Sequence, residues 1–439
     1  MTMFTSLTQA RSALHEGRTS AVELLDTALA EMEHWEPQIH AMVTQTPELA
    51  RAAAQDADRR LAAGDRGDLL GIPIVLKDLV DVAGVPTTAG SRVLADNMAT
   101  SDAVVWQRLR AAGAVLLGKA NTHEFAYGGT SEPTRHPADT SRMVGGSSGG
   151  PAAALAAGYC LGAVGTDTAG SIRNPAGLCG VAGLKPSRGL VDPTGVIPLS
   201  PTLDVVGPMA RRVADLDPLL SVMSGQPATG DPAPRTPEGL CVGLLSLGPM
   251  DDQVLRGLSA TQEVLATGGA TVEGLELPGC TESVYDDFLI IGFEAVQYHR
   301  RWADRRDDYT PYVRSRLEDA ETTSETDYQA ALERARQLRT AIDQALGQFD
   351  VLLLPGVPFT APPAYDDQVE VAGQPEDRDT ALCRNMALAN LTGHPVLALP
   401  APADGGLPVG TQLLGGLGSD RDLIRLGGWI ESAFGSALD

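Results

Sequence analysis

The chain has 439 residues, 43% of them hydrophobic and 20% charged, enough for one large domain or two ordinary ones. Its formal charge of −23 opposes a nucleic-acid or acidic-membrane surface, either of which calls for a basic patch. No apolar run approaches the ~20 residues of a spanning helix, and the opening "MTMFTSLTQARSALHEGRTS" lacks the basic start and apolar run of a signal peptide. Cys160, Cys179, Cys241, Cys280 and Cys383 are odd in number and form no C-x-x-C pair. Reduced thiols in a cytoplasmic protein are therefore expected.

In chain order, Ser20-Ala-Val-Glu23 reads as a capping box opening a helix, with Val22, Leu25, Leu29 and Met32 on one face. "PELARAAAQDADRRLAAGD" is predicted to form a second helix, ended by Gly64. Apolar runs follow at 72–76 ("IPIVL"), 114–118 ("AVLLG"), 241–246 ("CVGLLS"), 351–355 ("VLLLP") and 396–400 ("VLALP"). Such runs suit strands covered on both faces, with "DAVVWQRLRAAG" as a helix packed on the sheet. Residues 225–239, "GQPATGDPAPRTPEG", read as a proline-rich connector between two lobes. Beyond it, Tyr328, Ala331, Ala335, Leu338, Ile342 and Ala345 mark a long amphipathic helix closing near Gly347. The chain is thus expected to be one α/β domain with a helical N-terminal segment (1–65), a core (66–224), the connector and a C-terminal lobe (240–439).

Only three of the 33 basic residues are lysine: Lys77, Lys119 and Lys185. Arginine stays charged in a protein, whereas a desolvated lysine can lose its proton and act as a base. Lys77 ends the first apolar run; bringing its pKa from ~10.4 to near 7 takes about 4 to 5 kcal/mol against the charged form, which burial supplies. An ion pair with Asp78 or a remote acid is the bland alternative.

Two glycine-rich segments accompany it. "VGGSSGGPAAALAAG" (144–158) leads into a helix with Pro151 in its first turn. It lacks the phosphate-binding G-x-x-x-x-G-K-[ST] pattern. Although "GGSSG" matches the G-x-S-x-G nucleophile elbow, "RHPADTSRM" before it does not read as the strand an elbow needs. "GTDTAGSIRNP" (165–175) holds Ser171 among small residues whose amides can converge on one point, as an oxyanion hole requires. Asp167 and Arg173 are placed to hold that loop in shape. No histidine lies within 30 residues of Ser171, so Lys77 is the expected proton acceptor, relayed by a serine of the 147–148 pair.

These segments resemble the amidase signature family, hydrolases with a Ser–cis-Ser–Lys triad. "GIPIVLKD", "LLGKANTHEFAYGGTSE", "GGSSGG", "GTDTAGSIRNPAGLCGVAGLKPSRG" and "LDVVGPMARRVADL" carry the likeness from 71 to 216, and "DVLLLPGVPFTAP" and "NLTGHPVLALP…GLPVGTQLLG" extend it. The resemblance implies a large mixed β-sheet covered by helices on both faces. It further implies Lys77 as base, Ser147 as bridging serine after a cis peptide, and Ser171 as acylated nucleophile. The amides of Thr168, Ala169, Gly170 and Ser171 would form the oxyanion hole, supported by Ser148, Asp167 and Arg173. Tyr127, Gly128 and Gly129 would line the acyl pocket, although Tyr127 reads equally well as a core aromatic. Lys119 and Lys185 fall in motifs read as structural. Ala169 departs from the family's usual glycine.

The leading expectation is an enzyme hydrolysing the C–N bond of a small amide, or of a urea-like or hydrazide relative, through a seryl acyl-enzyme. Alternatives are the glutaminase component of a tRNA-dependent amidotransferase, a non-catalytic scaffold, and an α/β-hydrolase esterase using Ser147 or Ser148 with His299 or His394. His299 and Trp302 either border the cleft or pack on a helix face. The scattered histidines suggest no metal, and no cofactor fingerprint is present. The expected partner is a small-molecule amide, with no nucleic acid or membrane; a homodimer is a family-level expectation only.

Overall fold

The computed structural model describes residues 4–227, 234–364, 366–403 and 406–435. Residues 228–233 of the expected connector therefore lie outside the described residues. The strands are β1 (Met42–Gln45), β2 (Pro73–Lys77), β3 (Val115–Ala120), β4 (Gly162–Asp167), β5 (Ala182–Lys185), β6 (Val205–Ala210), β7 (Cys241–Leu245), β8 (Thr271–Leu275), β9 (Val351–Pro355), β10 (Gln368–Val371), β11 (Gln374–Asp377), β12 (Val396–Ala401) and β13 (Val409–Leu414). Among the described residues, eleven of them form one sheet in the order β1-β3-β2-β4-β6-β5-β12-β13-β9-β7-β8, and β10 and β11 form a separate hairpin. The sheet is mixed: β2 runs parallel to β3 and β4, and β7 to β8 and β9, while the other pairs are antiparallel. Helices cover both faces, which is why the central strands are buried at every residue.

All five apolar runs fall on strands: β2, β3, β7, β9 and β12. Missing from that set among the fully buried strands are β4, β5, β6 and β13; in β4, "GAVGTD", glycine, threonine and aspartate give no continuous apolar run, and glycine and aspartate are poor strand formers. Strand β4 forms at the centre of the sheet because small residues are what its neighbours admit. A Cβ on Gly165 would stand 2.9 Å from both Ile172 and Ser148. The edge strands β1 and β8 are only part-buried and lack a continuous apolar run.

The N-terminal helix Ala21–Ile39 has the expected capping box: Glu23 N–H donates to Ser20 Oγ at 3.1 Å, and Ser20 N–H to Glu23 Oε2 at 2.9 Å. Its buried face is Ala21, Leu24, Leu25, Ala28 and Met32, with Val22 and Leu29 at the margin rather than the centre. The helix Pro47–Ala62 and the long helix Glu325–Leu346 also form, the latter burying Ala331, Ala335, Leu338, Ile342 and Ala345 as the spacing requires. Among the described residues, no helix is long and apolar enough to cross a membrane.

The topology delivers the chemistry to one place. Because β2 and β4 are parallel neighbours with Leu76 beside Val164, Lys77 and Thr166 emerge at the same end of the sheet. There β6 runs back against β4 with Val205 beside Asp167, so Asp204 arrives next to the loop that follows β4.

Replacing Ser20 with alanine removes one side of the capping box. The variant is expected to lose about 1 kcal/mol of stability, read as a lower urea midpoint with an unchanged slope.

Candidate active site

Lys77 ends β2 with its side chain wholly shielded from solvent (0% exposed). Its Nζ donates to Ser147 Oγ at 2.7 Å and to Thr166 Oγ1 at 2.8 Å. Both partners are hydroxyls, so no carboxylate meets the amine directly. Burial pushes its pKa down to about 7 against the opposing pull of the Asp167 and Asp204 charges. The alternative ion pair with Asp78 does not form. Asp78 turns instead to Lys119, whose Nζ donates to Asp78 Oδ1 and Thr87 Oγ1, each at 3.0 Å. Of two buried lysines on adjacent strands, one is ion-paired and the other is left to lose its proton. Lys185 is equally buried and donates to the Pro186 carbonyl at 3.0 Å, away from Ser147 and Ser171.

Ser147 follows a cis peptide bond from Gly146. The segment is gripped from two sides. Asn174 Nδ2 donates to the Gly146 carbonyl at 2.6 Å while Gly146 N–H donates to Asn174 Oδ1 at 3.0 Å, and Ser131 Oγ donates to the Ser147 carbonyl at 2.9 Å. A Cβ on Gly146 would stand 2.1 Å from the Thr130 carbonyl oxygen, so this approach needs glycine. Ser148 points elsewhere: its Oγ donates to the Thr166 carbonyl at 3.1 Å and accepts from Thr166 N–H at 3.2 Å, tying the loop to β4. The helix Gly149–Ala157 follows, with Pro151 in its first turn.

The loop carrying Ser171 is shaped by Asp167. Its carboxylate accepts from Gly170 N–H at 3.0 Å, Ile172 N–H at 3.1 Å, and Arg173 Nε and Nη2 at 3.0 and 2.9 Å. Burial alone would raise this carboxyl; the Arg173 guanidinium, with help from Lys185 and Asn390, holds it well below the usual range. Arg173 in turn donates to the Met386 carbonyl, Gln412 Oε1 and Asn390 Oδ1 at 3.0, 3.0 and 2.6 Å. Thr168 Oγ1 donates to Asp204 Oδ1 at 2.7 Å. Burial pushes Asp204 up to about 6, against the hydrogen bonds from Thr168 and the Ser200 and Leu199 amides.

Ser171 lies at the wall of a cavity of about 450 Å³ that also reaches Tyr127, Gly128, Gly129, Ala169 and Asp379. Its carbonyl accepts from Ser148 N–H at 3.1 Å, which joins the two serine segments through the backbone. No direct hydrogen bond runs between the Ser147 and Ser171 hydroxyls. Thr168 and Ala169 border the same cavity, but the Gly170 amide is taken by Asp167. Tyr127 faces the cavity with burial pushing its hydroxyl up to about 12, so it remains a neutral phenol.

Several residues at the site were not legible in the sequence. Thr166 lies near the end of β4, a position available only once β4 is recognised as a strand. Across the cavity Arg316 Nη2 lies 3.1 Å from Asp379 Oδ2, Tyr312 Oη donates to the same carboxylate, and Gly129 N–H reaches Asp379 Oδ1 at 3.3 Å. Burial pushes Asp379 up to about 6. Arg316, Tyr312 and Asp379 come from elements far from Ser171 in the chain, with no motif around them. Conversely, His299 and Trp302 line a different cavity. His299 bonds Tyr309 and His394 bonds Asp343, neither meeting Ser147 or Ser148, and no strand leads into Ser147. The nucleophile-elbow alternative fails on both counts. Among the described residues, no cluster of His, Cys, Asp and Glu could hold a metal ion.

Comparison with known proteins agrees with this architecture. The Amidase family model matches residues 23–424, and the chain belongs to the amidase signature family, whose chemistry is the hydrolysis of amide bonds. It is 38% identical over 468 aligned residues to a glutamyl-tRNA(Gln) amidotransferase component from Roseiflexus sp. (strain RS-1), an alignment covering 96% of this chain and 95% of that protein. Among solved structures it is similar to an inhibitor-bound s-triazine catabolic enzyme, described with a vestigial protein complex, at a TM-score of 0.91 and 32% identity over 97% of this chain and 98% of the other. It is likewise similar to an amidase at a TM-score of 0.88 and 34% identity, with 97% and 99% covered.

Asp167→Ala would strand the Arg173 guanidinium in the interior. A loss of about 3–5 kcal/mol of stability is expected, measured by denaturant unfolding. The double variant with Arg173→Met should recover part of it.

Proposed function

We propose that this protein hydrolyses the C–N bond of a small amide through an acyl-enzyme on Ser171. The observation that carries the reading is the buried Lys77 amine, which has only hydroxyl partners and lies 2.7 Å from Ser147 Oγ, within reach of its proton. Ser171 Oγ attacks the carbonyl carbon as its proton passes to Ser147, whose own proton passes to neutral Lys77. A turn of the Ser171 side chain towards Ser147 completes that relay. The tetrahedral oxyanion is met by the amides of Thr168, Ala169 and Ser171, since the Gly170 amide is occupied by Asp167. As the C–N bond breaks, Lys77 returns a proton through Ser147 to the departing nitrogen. Water then attacks the ester carbon by the same path and releases the carboxylate.

For the substrate, the cavity favours the glutaminase reading over an uncharged amide. Asp379 and Arg316 place a carboxylate and a guanidinium on the wall of the cavity that Ser171 borders, suited to the amino and carboxylate groups of a glutamine-like amide. The Roseiflexus relative is named for a glutamyl-tRNA(Gln) amidotransferase, and the same role here would imply a partner chain and a tRNA-bound acceptor for the ammonia. The expectation of a small-molecule partner alone is widened accordingly. A stand-alone hydrolase of small amides or urea-like compounds is the second reading, supported by the likeness to the s-triazine catabolic enzyme.

Lys77→Ala and Ser171→Ala should each lower turnover by about 10³-fold or more while the protein stays folded; near wild-type rates in either would overturn the assignment. Because the base must be neutral and its pKa lies at about 7, kcat/KM should fall roughly tenfold per pH unit below that value and level off above it. In a panel of glutamine, primary aliphatic amides, anilides, ureas and hydrazides assayed for ammonia or amine release, glutamine should be preferred. Arg316→Ala and Asp379→Ala should each raise its KM about tenfold or more. Equal rates on uncharged amides, with no effect of either substitution, would favour the stand-alone hydrolase.

A further inference from the structure

Glu124 is a buried carboxylate, 4% exposed, with no part in the proposed proton relay. It follows β3 in the segment "NTHEFAYGG" (121–129), and its partners come from two other parts of the chain. Ser91 Oγ donates to its Oε1. Thr310 N–H donates to its Oε2 at 2.8 Å, and the Thr310 hydroxyl donates to the same oxygen. Thr310 is the N-cap of the ten-residue helix Pro311–Ala320, where the free amides and the helix dipole favour an anionic acceptor.

From Thr310 the contacts run round a closed ring. Tyr312 and Arg316, further along that helix, reach Asp379 on the wall of the Ser171 cavity. Asp379 accepts from the N–H of Gly129, which belongs to the same segment as Glu124. Between those two residues the backbone has little freedom to adjust. Phe125 and Ala126 hold φ at 51° and 59°, a region that residues other than glycine keep only where their surroundings impose it. Phe125 N–H donates to the Ala89 carbonyl at 2.8 Å, and its ring meets His299 at 4.5 Å between centroids. On the other side of the ring, the helix seats itself through Val313 and Leu317. Apolar burial of that kind is non-directional, so it fixes which face is inward but not the slide of the helix along its axis. The hydrogen bonds at Thr310 fix that slide.

We infer that Glu124 is a positioning residue for substrate specificity: by holding Thr310 it sets where Arg316 and Asp379 meet the carboxylate and amino groups of a glutamine-like amide. The inference rests on the glutamine reading of that cavity. None of the partners of Glu124 is Lys77, Ser147 or Ser171, so its loss should be felt in binding and not in the chemical step.

Steady-state kinetics on glutamine, together with the rate at which a fluorophosphonate labels Ser171, test this on the whole chain. Glu124→Ala should raise KM for glutamine about tenfold and leave kcat and the labelling rate within about threefold of wild type. Glu124→Gln keeps an acceptor for Thr310 and can donate to Ser91 Oγ, so it should recover most of the KM. Thr310→Val cuts the hydroxyl half of the link at an exposed position. It should raise KM about threefold, and it decides the matter if Glu124→Ala does not fold. Adding Glu124→Ala to Arg316→Ala should raise KM no further, because the first acts through the second. With KM raised in Arg316→Ala, three results would each overturn the inference alone: a wild-type KM in both Glu124→Ala and Thr310→Val, a loss of kcat or labelling as large as the rise in KM, or additive effects in the double variant. An unchanged KM in Arg316→Ala would overturn the glutamine reading and this inference with it.

Discussion

An amine held in the interior with hydroxyls as its only direct partners is the constraint around which this molecule is organised. A lysine in water keeps its proton at neutral pH, and one facing a carboxylate keeps it more firmly still. Lys77 is denied both comforts: β2 carries it out of solvent, and the acid next to it in sequence, Asp78, is drawn off by Lys119. What remains near it are the charges of Asp167 and Asp204, close enough to pull its pKa upward but bonded to other groups. The balance leaves the amine near neutrality, where it can exchange a proton with Ser147.

The second requirement is a loop that cannot relax. Asp167 directs its lone pairs to the amides of Gly170 and Ile172 and to Arg173, and Arg173 turns its remaining donors to Met386, Asn390 and Gln412. Gln412 sits on β13 and donates onward to the carbonyls of Pro355 and Asn385. The loop carrying Ser171 is thus keyed into residues more than 200 positions later in the chain. That connection gives a physical reason for "NLTGHPVLALP" and "GLPVGTQLLG" to accompany the glycine-serine core: they supply acceptors without which a buried guanidinium would be destabilising.

Local periodicity and capping reveal only the elements that carry them; eight of the thirteen described strands left no continuous apolar run that marked them in the sequence. Ser20 and Glu23, the stripe from Ala331 to Ala345 and the five apolar runs each encode their element within a few residues, because burial on both faces or along one stripe leaves a regular pattern. Strand β4 escaped because its composition answers to neighbours distant in sequence, which leave no room for a side chain at Gly165. The same division applies to the site. Lys77, Ser147 and Ser171 stand in short segments whose residue types announce them. Tyr312 and Arg316, one turn apart on the helix Pro311–Ala320, meet Asp379 only through the fold, and nothing adjacent to any of them in sequence marks it.

The scarcity of lysine has a practical corollary. Lys77, Lys119 and Lys185 are each 0% exposed, so the folded surface presents no ε-amino group at all. Reagents that acylate or cross-link lysine side chains would therefore leave the folded protein essentially unmodified. Surface ion pairs must instead draw their cations almost wholly from arginine, whose guanidinium such reagents leave untouched.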